Sequence, residues 1–282
     1  MSSGRKGGIP SNRHAAVGGG ALRTTREAGQ RPWRKGGAQS QLFDEGTTAA
    51  PEADLPVSPK LAELAARARK EGRLTNVVQF VDEELLRLAF GSLHKQAAPG
   101  VDGQSYDEYA AGLDENLWDL HRRLRSGRYR APAIRRVYIP KANGKLRALG
   151  ITTIEDRVVQ KAVAWVLSAV FEQDFLECSQ GFRPKRSAHM ALRRLRDGML
   201  QHWVKYVVEV DVVGFFDHVN HDWLRKFLRH RVNDGGLLRL IDKWLTAGVM
   251  ENGVVTLSED GVPQGGPGTP PTKWQTSWVA SG

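Results

Sequence analysis

Three scarcities narrow the possibilities for this sequence. It carries one cysteine, Cys178, in 282 residues, which excludes a disulfide framework and a cysteine-built zinc site and fits a reducing compartment. No window comes close to 18 consecutive uncharged apolar residues, which excludes a membrane-spanning helix. The opening residues MSSGRKGGIPSNRH lack the apolar centre of a secretory signal, and a cytoplasmic location is expected. Acid is also short, with 31 Asp and Glu against 41 Lys and Arg and a formal net charge of +10. That surplus points to an anionic partner, with nucleic acid favoured over an unremarkable basic enzyme.

The acid deficit is concentrated. From His121 to Gly150 there are ten Lys or Arg and no Asp or Glu: Arg122, Arg123, Arg125, Arg128, Arg130, Arg135, Arg136, Lys141, Lys145 and Arg147. A second cluster runs Arg183, Lys185, Arg186, Arg193, Arg194 and Arg196, relieved by Asp197. Tyr129, Tyr138 and Phe182 are interleaved and could stack on bases or ribose. Ordinary surfaces mix signs, so backbone phosphate is a better reading than a solvated face.

Along the chain, residues 1–57 are rich in Gly, Ser, Arg and Thr and are predicted to be a disordered basic tail, because they cannot bury enough apolar surface to offset ordering entropy. A helical region is expected over 58–130. It opens with Ser58-Pro59 as N-cap and N1 proline, then continues with helices near 81–94 and 106–125. The runs Ile134–Lys141 and Lys145–Leu149 flank Asn143-Gly144, a strong hairpin signal. Further helices are predicted near 154–175, 187–202, 221–230 and 236–247, and a second hairpin over 249–262 turning at Glu251-Asn252-Gly253. Lys205–Asp211 reads as a buried strand ending on a carboxylate. Helices and strands mix without a βαβ rhythm, so the class is α+β.

Asp211 is the first candidate for chemistry. A carboxylate at the tip of a buried strand needs a metal or another cation; alternatively it caps a turn. Asp217 and Asp222 lie nearby but read as local caps. Phe215-Phe216 could wall a nucleotide or belong to a core, and the glycines of Pro263-Gln264-Gly265-Gly266 permit close backbone approach. Lys141 and Arg147 could meet a triphosphate across the first hairpin.

Taken in order, these pieces resemble a known family. Ala98-Pro-Gly-Val-Asp-Gly103, Arg135-Arg-Val-Tyr-Ile-Pro-Lys141 with Asn143-Gly-Lys-Leu-Arg147, Asp156-Arg-Val-Val-Gln160, Gly181-Phe-Arg-Pro-Lys-Arg-Ser187, Val210-Asp211-Val-Val-Gly-Phe-Phe-Asp217 and Pro263-Gln-Gly-Gly266 are similar to the reverse transcriptase and maturase encoded by group II introns. The resemblance spans about residues 58 to 266 and is more specific than any one motif. It implies a right-hand polymerase of which 131–266 would be fingers and partial palm. Asp211 would then match a catalytic, Mg²⁺-binding aspartate of a two-ion site. Lys141, Arg147, Phe216 and Gln264 would contact the incoming deoxynucleoside triphosphate. Arg135, Arg136, Arg183, Lys185 and Arg186 would lie against template or intron RNA. The implied partners are intron RNA and an RNA/DNA template-primer, with no membrane, in a cytoplasmic ribonucleoprotein or nucleoid-associated setting.

The departures carry equal information. The family follows its Pro-Gln-Gly-Gly loop with an apolar helix and a Tyr-x-Asp-Asp hairpin, whereas this sequence has no adjacent Asp–Asp pair. Residues 267–282 resemble an aberrant, out-of-frame tail, which translating the downstream DNA in the other frames would test. Ala148 stands where the family favours proline and Gln180 where tyrosine is usual. One aspartate cannot hold two divalent ions, so the chain alone is expected to be a truncated, inactive polymerase. The alternative is an RNA-binding, maturase-like module without polymerase chemistry. A retron-type or diversity-generating reverse transcriptase is a third reading, and the Ala98–Gly103 and Arg135–Lys141 motifs favour the group II kind.

Overall fold

Helix α5 (Ile154–Phe171) is the axle of the fold, and its burial follows from its composition: of its residues only Glu155 and Ser168 are not buried. Its second half, Ala162–Phe171, is apolar at every position but Ser168 and must be covered on nearly every side, while its first half also buries Asp156, Arg157, Gln160 and Lys161. The computed structural model describes residues 55–140, 144, 146–201, 204–213, 215–257 and 261, with the backbone alone for Arg147, Phe216 and Asp217. Within that range α1 (Pro59–Lys70) and α2 (Glu83–Gly91) pack on α5. One apolar core then runs through α3 (Tyr106–Ala111), α4 (Leu113–Arg125), α7 (His221–Arg231) and α8 (Gly235–Leu245). The core is continuous across residue 130.

Local chemistry sets the element boundaries. Asp82 caps α2 by accepting from Leu85 N at 2.9 Å. Ser105 and Glu108 form a reciprocal capping box on α3. Asn220 caps α7 and Asp234 caps α8. The second Asp234 oxygen also accepts from Val78 N at 2.8 Å, tying α8 to the 3₁₀ turn Val78–Phe80. The helix expected over 106–125 is two helices, broken at Gly112, whose backbone leaves helical geometry (φ −118, ψ 34). Arg231, at the end of α7, donates to the α1 C-terminal carbonyls of Ala68, Glu71 and Gly72 at 2.6, 3.1 and 2.9 Å. A cation is favoured there by the helix dipole.

A four-stranded sheet lies beside the helices in the order β2 (Leu146–Ile151), β1 (Ile134–Pro140), β3 (Val249–Glu251), β4 (Val254–Thr256). The first hairpin is antiparallel from Arg135↔Ile151 to Pro140↔Leu146, as the Asn-Gly signal predicted. β3 joins β1 in parallel through Ile134↔Val249. In the second hairpin Asn252 and Gly253 both have positive φ, 50 and 81, the requirement of a type I′ turn. The mixture is the α+β class expected.

One expectation fails. Residues 205–211 form no strand, and Val208 and Val210 are each 83% exposed. The period-two pattern is present, but a strand exists only against a partner, and none of the described residues pairs with this run. The tail over 1–54, the loop residues Lys141 and Gln264, and the segment 267–282 fall outside the described residues.

Candidate nucleic-acid interface

Tyr129, in the middle of the acid-free run, is buried, whereas its neighbours Arg125, Arg128 and Arg130 are all exposed. The Tyr129 hydroxyl donates to Asp156 at the start of α5, and Trp244 Nε1 of α8 donates to that hydroxyl at 3.1 Å. Lys243 Nζ bonds the Gly127 and Tyr129 carbonyls at 2.7 and 2.6 Å. These contacts fix the turn after α4, so its arginines stand on a rigid base. Arg122 and Arg123 are committed elsewhere. Both pair with Asp119, and Arg123 makes a bidentate pair with Glu155 at 2.9 and 2.6 Å. Arg125, Arg128 and Arg130 carry no ion pair among the described residues, which leaves them free for phosphate. The acid-free run held this signal, but charge counting alone does not separate the paired arginines from the free ones.

The same contacts carry a titration. Burial pushes the Asp156 carboxyl up to about 7, with the Tyr129 hydroxyl opposing that rise. A carboxyl whose folded pKa exceeds its unfolded one adds stability below the unfolded value and loses it as pH rises through the folded value. Stability is therefore expected to fall between about pH 4 and pH 7 through this group. Urea melts of the Asp156→Asn variant should give a flatter profile over that window, and an unchanged slope would contradict the assignment.

The first hairpin presents Arg136 and Tyr138 on one exposed side of β1. Glu251 of β3 answers both, accepting from the Tyr138 hydroxyl at 2.8 Å and facing Arg136 at 3.6 Å. Arg135 turns the other way, and its Nη2 donates to Pro99 O at 2.6 Å. Arg157 bonds the adjacent carbonyl, Ala98 O, and burial lowers its pKa, with Asp102 opposing and Arg135 adding to the shift. The Ala98–Gly103 loop is thus gripped by two guanidinium groups, and Gly100 sits against Thr152 and Thr153 where a Cβ would fall 2.6 Å from Thr153 Cα. Arg135 is tied to this loop through its Nη2.

Arg183 also differs from expectation. It is 5% exposed, pairs with Glu172 at 2.7 Å, donates to the Leu176 and Ser179 carbonyls at 2.7 and 2.8 Å, and lies over the Phe175 ring at 5.2 Å. Flanking it, Phe182 and Lys185 both hold positive φ, 55 and 58, and both side chains are exposed. Non-glycine residues adopt that geometry at a cost that the surroundings must offset. The buried arginine is the anchor, and Phe182 and Lys185 are what the loop displays. Arg186 is engaged by Glu177 at 2.9 Å. Phe182 is the functional candidate that a tally of basic residues passes over.

Asp211 is exposed and lies outside any strand. Among the described residues no group of three or more His, Cys, Asp or Glu side chains could hold a metal ion. No metal-assisted step is assigned to the described residues. Asp222 pairs with Arg225 at 2.8 Å, as a surface residue of α7. Lys141 and Gln264 lie outside the described residues. Arg147 is described by its backbone alone, opposite Ile139, and Phe216 by its place in the 3₁₀ turn Phe215–His218.

Residues 139–275 match the family model described as reverse transcriptase (RNA-dependent DNA polymerase). Protein YkfC of Escherichia coli K12 is 40% identical over 171 residues, covering 60% of this chain and 45% of that protein. Group II intron-encoded protein LtrA of Lactococcus lactis is 32% identical over 184 residues, covering 65% of this chain and 30% of that protein. An uncharacterized 91 kDa protein in the cob intron of Schizosaccharomyces pombe is 34% identical over 185 residues, covering 66% and 23%. A solved partial Cas6-RT-Cas1–Cas2 complex overlaps 74% of this chain and 34% of that chain at a TM-score of 0.46 and 21% identity. The chain spans less than half the length of these curated relatives. With the motifs in family order along the sequence and the matched segment running from the first hairpin past α8, the chain is similar over this segment to reverse transcriptases, those encoded by group II introns among them.

Proposed function

We propose that this chain engages intron RNA as the fingers and partial palm of an RNA-directed DNA polymerase that serves intron splicing and mobility. The observation that carries the reading is the set of unpaired, exposed Arg125, Arg128 and Arg130 on a turn fixed by buried contacts, beside the matched segment. Phosphate contacts of this kind set affinity and register without reading sequence. Lys141, Arg147, Phe216 and Gln264 remain the proposed contacts to a deoxynucleoside triphosphate, and Asp211 the proposed catalytic Mg²⁺ ligand. Cytoplasmic ribonucleoprotein is the proposed setting.

A second reading has an observation of its own. Exposed Arg125, Arg128 and Arg130 hold phosphate without any metal, which supports an RNA-binding module that does no polymerisation by itself. Primer extension by the purified 282-residue chain is expected to yield no template-dependent product with Mg²⁺, and product would contradict this second reading. Filter binding across a salt series supplies the other arm. The chain should retain RNA, with log K falling linearly against log salt. The triple change of Arg125, Arg128 and Arg130 to alanine should make that slope shallower by about 2, from roughly 0.7 per phosphate contact on a single strand. A slope indifferent to the triple change would remove this surface from the interface.

A further inference from the structure

A buried acid with no cation of its own lies under the arginine-bearing turn. Asp156 is 1% exposed and makes no ion pair among the described residues, and a carboxylate buried that way is costly. The charged groups around it do not relieve the cost. Glu155, beside it on α5, and Asp102, from the Ala98–Gly103 loop, are both acids. Arg123 of α4 is spent on Glu155 and Asp119, and Lys243 of α8 on the Gly127 and Tyr129 carbonyls. The first turn of α5 favours an anion through the helix dipole, yet burial wins and holds the carboxyl up at about 7 against the Tyr129 and Trp244 hydrogen bonds. One hydroxyl joins these parts: Tyr129 donates to Asp156 and accepts from Trp244 Nε1 at 3.1 Å. The Tyr129 amide closes the same turn, donating to Arg123 O at 3.0 Å. An asparagine at 156 could accept that hydroxyl without charge; an aspartate makes the bond depend on a proton.

We propose that Asp156, Tyr129 and Trp244 form a proton-controlled latch on the turn from Ser126 to Arg130. The latch is closed while Asp156 holds its proton and loosens when the proton leaves, and the grip of Arg125, Arg128 and Arg130 on RNA weakens with it. The RNA half rests on the function proposed above, whereas the latch itself does not. The sign follows from linkage. In the opened turn the carboxyl meets water and returns to about 4, while in the closed turn it titrates at about 7. Between those values opening releases a proton, so each pH unit favours the open turn by up to about tenfold. Above about pH 7 both forms are ionised and the gain stops. The turn can loosen without the core, because from Arg125 to Arg130 only Tyr129 is buried. Opening exposes one ring and its bonds and leaves the packing of α5 in place.

Hydrogen exchange of the full chain without RNA, corrected for the intrinsic effect of pH, tests the latch. Protection of the Tyr129 amide should fall by up to about tenfold per unit from about pH 5 to 7 and level off above that. It should also be indifferent to dilute urea, as a local opening is, while α5 amides exchange through urea-sensitive unfolding. Amides of helix α6 (Ala188–Gln201), which has no buried residue, give the reference for local opening without a buried acid. Asp156→Asn should flatten the Tyr129 profile, and the urea dependence in the unaltered chain decides the matter even where that variant does not fold. Protection indifferent to pH, a slope that Asp156→Asn retains, or Tyr129 exchange with the urea dependence of α5 overturns the latch. Fluorescence anisotropy of a labelled oligouridine RNA reads the other half. Between about pH 5.5 and 8 the unaltered chain should lose at least about threefold in affinity relative to Asp156→Asn, as the competent fraction shrinks, and equal losses overturn the coupling. RNA affinity unchanged by the triple change of Arg125, Arg128 and Arg130 to alanine refutes the RNA reading alone, because the latch is measured without RNA.

Discussion

Replacing Arg183 with methionine is expected to lower the stability of the chain by about 3–5 kcal/mol, the range for removing one partner from a buried ion pair. The guanidinium satisfies Glu172 and two backbone carbonyls at once, and methionine fills part of the volume while satisfying none of them. The effect should extend beyond global stability. Phe182 and Lys185 hold left-handed backbone on either side of the anchor, so the loop should relax and RNA affinity fall with it. Lys185→Ala and Arg186→Ala provide the contrast. Lys185 is exposed and Arg186 is half-buried, its ion pair being with a largely exposed Glu177, and each should change stability by less than about 1 kcal/mol. Urea titration of the three variants separates the roles. An Arg183→Met variant as stable as the parent would show that the anchor does not hold the loop.

Gly100→Ala is expected to cost about 2–3 kcal/mol, near the upper end for forcing extra volume into packed structure. The added methyl would fall 2.6 Å from Thr153 N and Cα and 2.9 Å from the Thr152 carbonyl carbon. Those are backbone atoms at the N-cap of α5, where Thr153 accepts from Asp156 N at 3.2 Å, so the neighbour cannot yield as a flexible side chain would. The loop must move instead, and moving it strains the bonds from Arg135 to Pro99 and from Arg157 to Ala98. Hydrogen exchange should therefore speed up over 98–103 and along β1 as well. Protection unchanged from the parent would mean that the loop is not wedged against α5.

Much of this architecture is legible in the sequence because it is local. The Ser58-Pro59 signal places the start of α1 at Pro59, although the Ser58 side chain makes no cap bond there; the caps at Asp82, Ser105, Asn220 and Asp234 are equally local. The hairpin that Asn143-Gly144 signals is present as the antiparallel pairing of β1 with β2. What escaped is what depends on distant partners. Lys205–Asp211 has the alternation of a strand, yet pairing is decided by a neighbour that no local pattern names. Arg183 reads as a cation for RNA until Glu172, eleven residues earlier, is seen to neutralise it. Arg135 and Arg136 are adjacent and alike in sequence, but the pleat sends one to the Pro99 carbonyl and the other toward Glu251. For the candidate interface, the acid-free run identified the right stretch of chain, and only tertiary contacts separate its occupied arginines from its free ones.

Photo-crosslinking of bound intron RNA carrying 4-thiouridine, followed by mass spectrometry of the adducts, is the most direct test of the account. Adducts are expected at Phe182 and Tyr138 and on the peptide spanning Arg125 to Arg130, with none on Arg183. Adducts confined to α7 and α8, with none on those three segments, would contradict it.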